Sequence, residues 1–160
     1  MKKDIYVIYL SVRLTDFTDY ALRVLMHLGL GEGRQSSIAD IARAYGISEA
    51  HLMKVAHRLG QLGYLATARG RGGGLRLARP PESIRIGALV RAVEPDLALA
   101  ECFGPHGACA IAGPCRLQPA LAEAREAFLA ALDRYTLDDL LWPHALALRA
   151  RLGVAEAPAA

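Results

Sequence analysis

Three cysteines, Cys102, Cys109 and Cys115, fall in one Gly/Pro-rich stretch, AECFGPHGACAIAGPCRL, and the rest of the 160-residue chain has none. Thiols concentrated in this way suit a single metal or cluster site better than incidental core packing. Three thiolates cannot pair off as disulfides, and they leave a four-coordinate metal or cluster one protein ligand short. Taking His106 as the fourth ligand gives a Cys3His zinc site. The wide gaps, six and five intervening residues with no C-x-x-C knuckle, favour iron. A cubane-type 4Fe-4S cluster tolerates such a loop because each cysteine reaches a different corner, with a 2Fe-2S cluster as the alternative. A cluster with one non-thiolate ligand is open to exchange at that corner, which suits a sensor.

A second set of residues suits a polyanion. Ser48, His51, Lys54 and Arg58 fall on one face of a helical pattern with Gln61, opposite an apolar stripe of Leu52, Val55, Ala56 and Leu59. Beyond them, the segment RGRGGG carries Arg69 and Arg71 between two short alternating runs, YLATAR and LRLAR. Lys54 and Arg58 would meet phosphates or guanine edges, and Ser48 would donate to a phosphate at the helix N-terminus. Arg69 and Arg71 would enter a narrow minor groove. On its own, a polar helix face is more often solvated surface; the neighbouring wing makes DNA contact the better reading. Neither a Ser/His/Asp grouping nor a carboxylate pair at catalytic spacing stands out, so the chain reads as a binding protein and not an enzyme.

The elements that position these residues follow from periodicity. Phe17, Tyr20, Ala21, Val24, Leu25 and Leu28 form the stripe of an amphipathic helix, ended by Gly29 and Gly31. Ser37 with Asp40 caps a short second helix stopped by Gly46, and Ser48 caps a third that ends near Gly63. A helix, a Gly turn and a helix opening on Ser make a helix-turn-helix, and the glycine-tipped hairpin after it makes a wing. Ile86–Val93 reads as a further helix stopped at Glu94-Pro95. After the cysteine loop a long helix is expected from about Arg116 to Tyr135. Its seam is Leu117, Leu121, Ala124, Phe128, Ala131 and Tyr135, flanked by Leu129 and Leu132, and such a seam calls for burial against another helix. Thr136 with Asp139 caps a final helix around Leu140 to Leu148.

The fold class is therefore mainly α with a small β wing, a winged helix-turn-helix domain plus a long dimerisation helix. The expected divisions are an N-terminal extension over 1–12, the DNA-binding domain over 13–94, the cluster-binding loop over 95–115, the dimerisation and C-terminal helices over 116–150, and a disordered tail over 151–160. Charge follows them. Residues 43–91 hold nine Lys/Arg against two acidic residues, whereas residues 92–160 hold five against nine. That asymmetry places polyanion binding in the middle of the chain. The apolar run Ile5–Leu10 is too short for a secretory signal or a membrane span, and the helical pattern starts abruptly after Val12. A reducing, cytoplasmic setting without membrane attachment is expected, and it favours metal binding over disulfides.

Taken together, RLTDFTDYALRVLMHL, SIADIARAYGISEAHLMKVAHRLGQLGYL, RGRGGGLRLAR, and ECF followed by CAIAGPCRL resemble the winged-helix iron-sulfur repressors of the IscR/NsrR type, over nearly all of Arg13 to Leu141. The chain looks most like the nitric-oxide-sensitive branch. The resemblance implies a homodimer with crossed long helices, an inverted-repeat double-stranded DNA operator, and one cluster per subunit in the three-cysteine loop. It further implies a fourth ligand from a carboxylate near the N-terminus of the partner, matching Asp19, with Asp16 nearby. The function it implies is repression released when the cluster reacts with nitric oxide or is lost. The alternatives are a sibling regulator of iron-sulfur assembly or redox state and a zinc-stabilised DNA-binding protein.

Overall fold

The computed structural model describes residues 13–68, 70, 73–104, 109–142 and 144–155. The first helix, α1 (Asp16–Leu30), starts where Thr15 accepts the Thr18 N–H, and it buries Ala21, Val24, Leu25 and Leu28. A capping box between Ser37 and Asp40 opens α2 (Ile38–Tyr45), and Gly46 ends it in the left-handed conformation. Each such cap satisfies backbone donors that helical bonding leaves over and contributes about 1 kcal/mol. The Ser48 cap opens α3 (Glu49–Gln61), whose buried residues are the expected Leu52, Val55, Ala56 and Leu59.

Strands β1 (Leu65–Ala68) and β2 (Gly74–Leu77) pair antiparallel, with Leu65 opposite Leu77 and Ala68 opposite Gly74. Ser36 adds a bridge to Leu75 on the other side of β2. This explains one wing glycine that the sequence assigns to the tip. A Cβ on Gly74 would stand 2.9 Å from the Ser36 carbonyl oxygen, so the residue is small because another backbone passes against it. Arg79 closes the hairpin onto the helix-turn-helix: its guanidinium donates to the Gly63 and Leu62 carbonyls and lies 4.6 Å from the centre of the Tyr64 ring.

Helix α4 (Ile86–Val93) follows, then the cysteine segment, α5 (Leu117–Asp133), α6 (Leu137–Leu141) and α7 (Ala145–Leu152). The single final helix expected around 140–148 is thus two helices. Trp142 has left the helical region at φ −96°, ψ 140°, the restriction expected of a residue ahead of a proline. Within the segment expected as a disordered tail, α7 runs on to Leu152 and Gly153 caps it in the left-handed conformation; residues 156–160 and the extension over 1–12 lie outside the described residues.

Helix α1 is the centre of the core, packing against α3, α4, α6, α7 and β2. Helix α5 rests on α4. There Arg91 makes a two-pronged salt bridge to Asp133, 2.7 Å on each arm, and Leu129 is buried. Gly87 lets the two helices close: a Cβ there would fall 2.1 Å from a carboxylate oxygen of Asp133 and 2.9 Å from its backbone nitrogen. Gly87→Ala should therefore push α5 away from α4 and lower stability by about 1–3 kcal/mol, read as an earlier midpoint in urea unfolding. An unchanged midpoint would mean that α5 is not held there in solution.

Candidate nucleic-acid interface and sensor loop

Ser48, His51, Lys54 and Arg58 are all exposed, as their face requires, while the opposite face of α3 is sealed in the core. Their surroundings differ. Ser48 accepts the His51 N–H through its side-chain oxygen, which leaves its O–H able to donate outward. The His51 ring lies 6.3 Å from that of Tyr20 on α1. Arg58 is partly engaged, donating at 3.3 Å to the Ala92 carbonyl near the end of α4. The expected wing contacts, Arg69 and Arg71, lie outside the described residues, as does His106.

The sensor loop leaves α4 through a fixed point. Glu94, 9% exposed, accepts from the Thr15 N–H at 3.1 Å and from the Thr15 hydroxyl at 3.2 Å, tying the start of the loop to the start of α1. A single turn, Glu101–Phe103, carries Cys102, and Phe103 lies under the Arg125 guanidinium of α5, 5.4 Å from the ring centre. Gln118 of α5 donates to the Cys102 carbonyl at 3.5 Å. All three cysteines are free thiols, Cys109 exposed and Cys102 and Cys115 half-buried. None is locked in the core, and one short segment presents them all, so the donor set suits a soft iron or zinc centre. Among the described residues of the single chain, no three His, Cys, Asp or Glu side chains converge as metal ligands.

Asp19 stands apart from the loop's cysteines, in the first turn of α1. Its carboxylate pairs with Arg23 at 2.9 Å, and both side chains are more than 40% exposed. The Asp19 hydrogen bond pushes the Arg23 guanidinium above its ordinary pKa, and Arg23 also lies 5.7 Å from the centre of the Tyr45 ring on α2. Asp16, also in the first turn, is exposed. A cavity of about 540 Å3 opens between Leu14, Glu94, Leu97, Ala124 and Phe128, alongside the loop and the seam of α5.

Two functional-looking features escape the sequence reading. His27 is 4% exposed, and burial lowers its pKa; its place three residues after Val24 and one before Leu28 marks it as core-facing. Arg149, 9% exposed, donates to the Leu30 carbonyl at 2.9 Å and pairs with Glu32, fastening α7 to the end of α1 across a sequence separation of 119. No local pattern announces that pair.

Residues 14–143 match the Rrf2 family model, described as iron-dependent transcriptional regulators. The chain belongs to the Rrf2 family. It is 55% identical over 132 residues, 81% of this chain and 90% of the relative, to the HTH-type transcriptional regulator NsrR of Geobacillus kaustophilus. It is 52% identical over the same length to NsrR of Bacillus subtilis. Among solved structures it resembles CymR, the global cysteine regulator of B. subtilis, with a TM-score of 0.65 and 26% identity, covering 81% of this chain and 96% of that one. It also resembles IscR of T. potens, with a TM-score of 0.63 and 25% identity over 82% and 87% of the two chains. Within the Rrf2 family the chain stands with the NsrR regulators. It is a winged helix-turn-helix DNA-binding transcriptional regulator and not an enzyme. No helix among the described residues is long and apolar enough to cross a membrane.

Proposed function

We propose that this Rrf2 regulator is a homodimeric, cytoplasmic repressor whose affinity for an inverted-repeat operator depends on an iron-sulfur cluster and falls when nitric oxide is present. Three free thiols on one short loop of an iron-dependent regulator carry the reading. Cys102, Cys109 and Cys115 hold the cluster, 4Fe-4S in the first instance, with Asp19 of the partner subunit as the fourth ligand. When bound, the cluster supplies irons that react with nitric oxide.

The chain's own contacts carry the signal toward DNA. The sensor loop begins at Glu94, and Glu94 grips Thr15, the residue that caps α1. Four residues further along α1, Asp19 holds Arg23, which lies over Tyr45 of the helix-turn-helix. Drawing Asp19 toward the partner's loop loosens its hold on Arg23 and so disturbs the contact with α2. A hundredfold change in operator affinity requires about 2.7 kcal/mol of coupling, within the reach of a few such contacts.

The test is operator affinity of one anaerobic preparation before nitric oxide, after it, and as apo-protein, with iron and sulfide measured alongside. The expected order is strong, weak and weak; equal affinity in all three states would overturn the reading. A colourless protein containing zinc would favour the metal-stabilised alternative.

For the DNA contact, α3 enters the major groove, with Ser48, His51, Lys54 and Arg58 facing DNA and Arg69 and Arg71 reaching the minor groove. Lys54 is the clean probe, because Arg58 also supports Ala92. Lys54→Ala should lower the salt dependence of operator binding by about one counterion. Arg58→Ala should cost more than that change alone, and an unchanged slope in both variants would remove α3 from the interface.

A further inference from the structure

Helix α3 carries a large apolar side chain that nothing among the described residues covers. Met53 is 56% exposed and belongs neither to the core nor to the apolar fringe packed against it, while Leu52 and Val55 on the same helix are sealed inside. Met26, by contrast, packs on the core. Ala50, one turn before Met53, is also exposed, so two apolar groups lie one above the other on the outer surface of the N-terminal half of α3.

The charges on either side orient this pair. Lys54 and Arg58 mark one edge of the exposed face, and cations there suit phosphates. The opposite edge carries Glu49, exposed in the first turn, four residues before Met53. A carboxylate is repelled by backbone phosphates, so with Lys54 and Arg58 toward the backbone the Glu49–Met53 edge lies over the groove floor. Further along, His57 and Gln61 are hydrogen-bonded to each other at 3.1 Å, whereas the N-terminal part of a recognition helix is the part that reaches base edges. The floor of the major groove is polar except at the C5-methyl group of thymine. An apolar side chain pressed on a polar edge strips its water and returns no hydrogen bond; against a methyl group it removes apolar surface from water on both sides.

We infer that Met53, with Ala50 beside it, reads the C5-methyl group of a thymine in each half-site of the operator. The inference rests on α3 lying in the major groove, as proposed above, and adds a base preference that the polar stripe does not contain. An unbranched, polarizable thioether moulds itself to such a contact. Met53 therefore supplies sequence preference, while Lys54 and Arg58 supply position and salt dependence.

Duplexes are selected from a random-sequence pool with the full-length wild-type protein, prepared anaerobically. Each thymine of the selected half-site is then replaced by uracil, which removes the methyl group and nothing else. At one position the replacement is expected to weaken wild-type binding about fourfold, and about fifteenfold when made in both half-sites, the effect of one buried carbon apiece. Met53→Ala should bind the thymine and uracil duplexes equally, and Met53→Leu, which keeps an apolar side chain, should restore most of the discrimination. The position is exposed, so neither variant disturbs the core. A selected half-site without thymine, wild-type binding indifferent to every replacement, or full discrimination by Met53→Ala overturns the inference. The salt slopes of Lys54→Ala and Arg58→Ala separate that failure from failure of the major-groove reading. A slope lowered by about one with no uracil effect removes only the methyl contact, whereas slopes unchanged in both variants take α3 off the DNA and both readings fall.

Discussion

Cys115→Ser is expected to leave a folded protein that holds no iron-sulfur cluster and binds its operator equally with and without nitric oxide. Cys115 ends the loop just ahead of α5, half-buried but outside the hydrophobic core, so a hydroxyl in place of the thiol removes a ligand and little packing. Two thiolates then remain where the chain offers three, too few to hold a cluster securely. Iron and sulfide after anaerobic reconstitution should fall to background, while the thermal unfolding of the apo-protein stays within about 0.5 kcal/mol of wild type. Operator affinity should sit at the weak level of nitric-oxide-treated wild type. Cys102→Ser and Cys109→Ser should behave alike. Asp19→Ala should be milder, altering the cluster and its response without abolishing loading, because a carboxylate contributes one weaker ligand. Full iron loading of Cys115→Ser would show that the thiols do not act as one set.

If the subunits pair through the seam of α5 as proposed, Phe128→Glu should give monomers and abolish binding to a two-half-site operator. Only Leu129 of α5 is fully buried in the single chain, whereas Leu117, Phe128 and Tyr135 on the seam are 62%, 46% and 46% exposed. The single chain thus leaves an apolar surface of the kind that marks an association site, and the cavity beside Leu14 and Leu97 extends it. Burying a phenylalanine contributes about 1.5–3 kcal/mol, and two symmetry-related glutamates in its place would meet as like charges without partners. Sedimentation should report monomers, and affinity for the palindromic site should drop more than a hundredfold. Leu129→Ala serves as the contrast. It should cost about 2–5 kcal/mol of folding stability, because that side chain packs within its own subunit. A Phe128→Glu protein that still sediments as a dimer would place the subunit contact elsewhere.

The sequence by itself was sufficient for whatever is written in neighbouring residues. The capping boxes at Ser37–Asp40 and Thr136–Asp139, the Ser48 cap, the buried face of α3 and the alternating wing all involve residues a few positions apart, so local stereochemistry and periodicity specify them. The three thiols on one loop and the basic exposed stripe were legible for the same reason. Tertiary structure decided what depends on distant segments. It tied Glu94 to Thr15 across 79 residues and Arg149 to Leu30 across 119. It also chose which side of α5 packs inward. Leu129 and the heptad seam are both apolar, and periodicity alone cannot rank two apolar faces. The Arg91–Asp133 pair and the close approach at Gly87 settle the matter, because they fix the rotation of α5 on α4 and turn Phe128 outward.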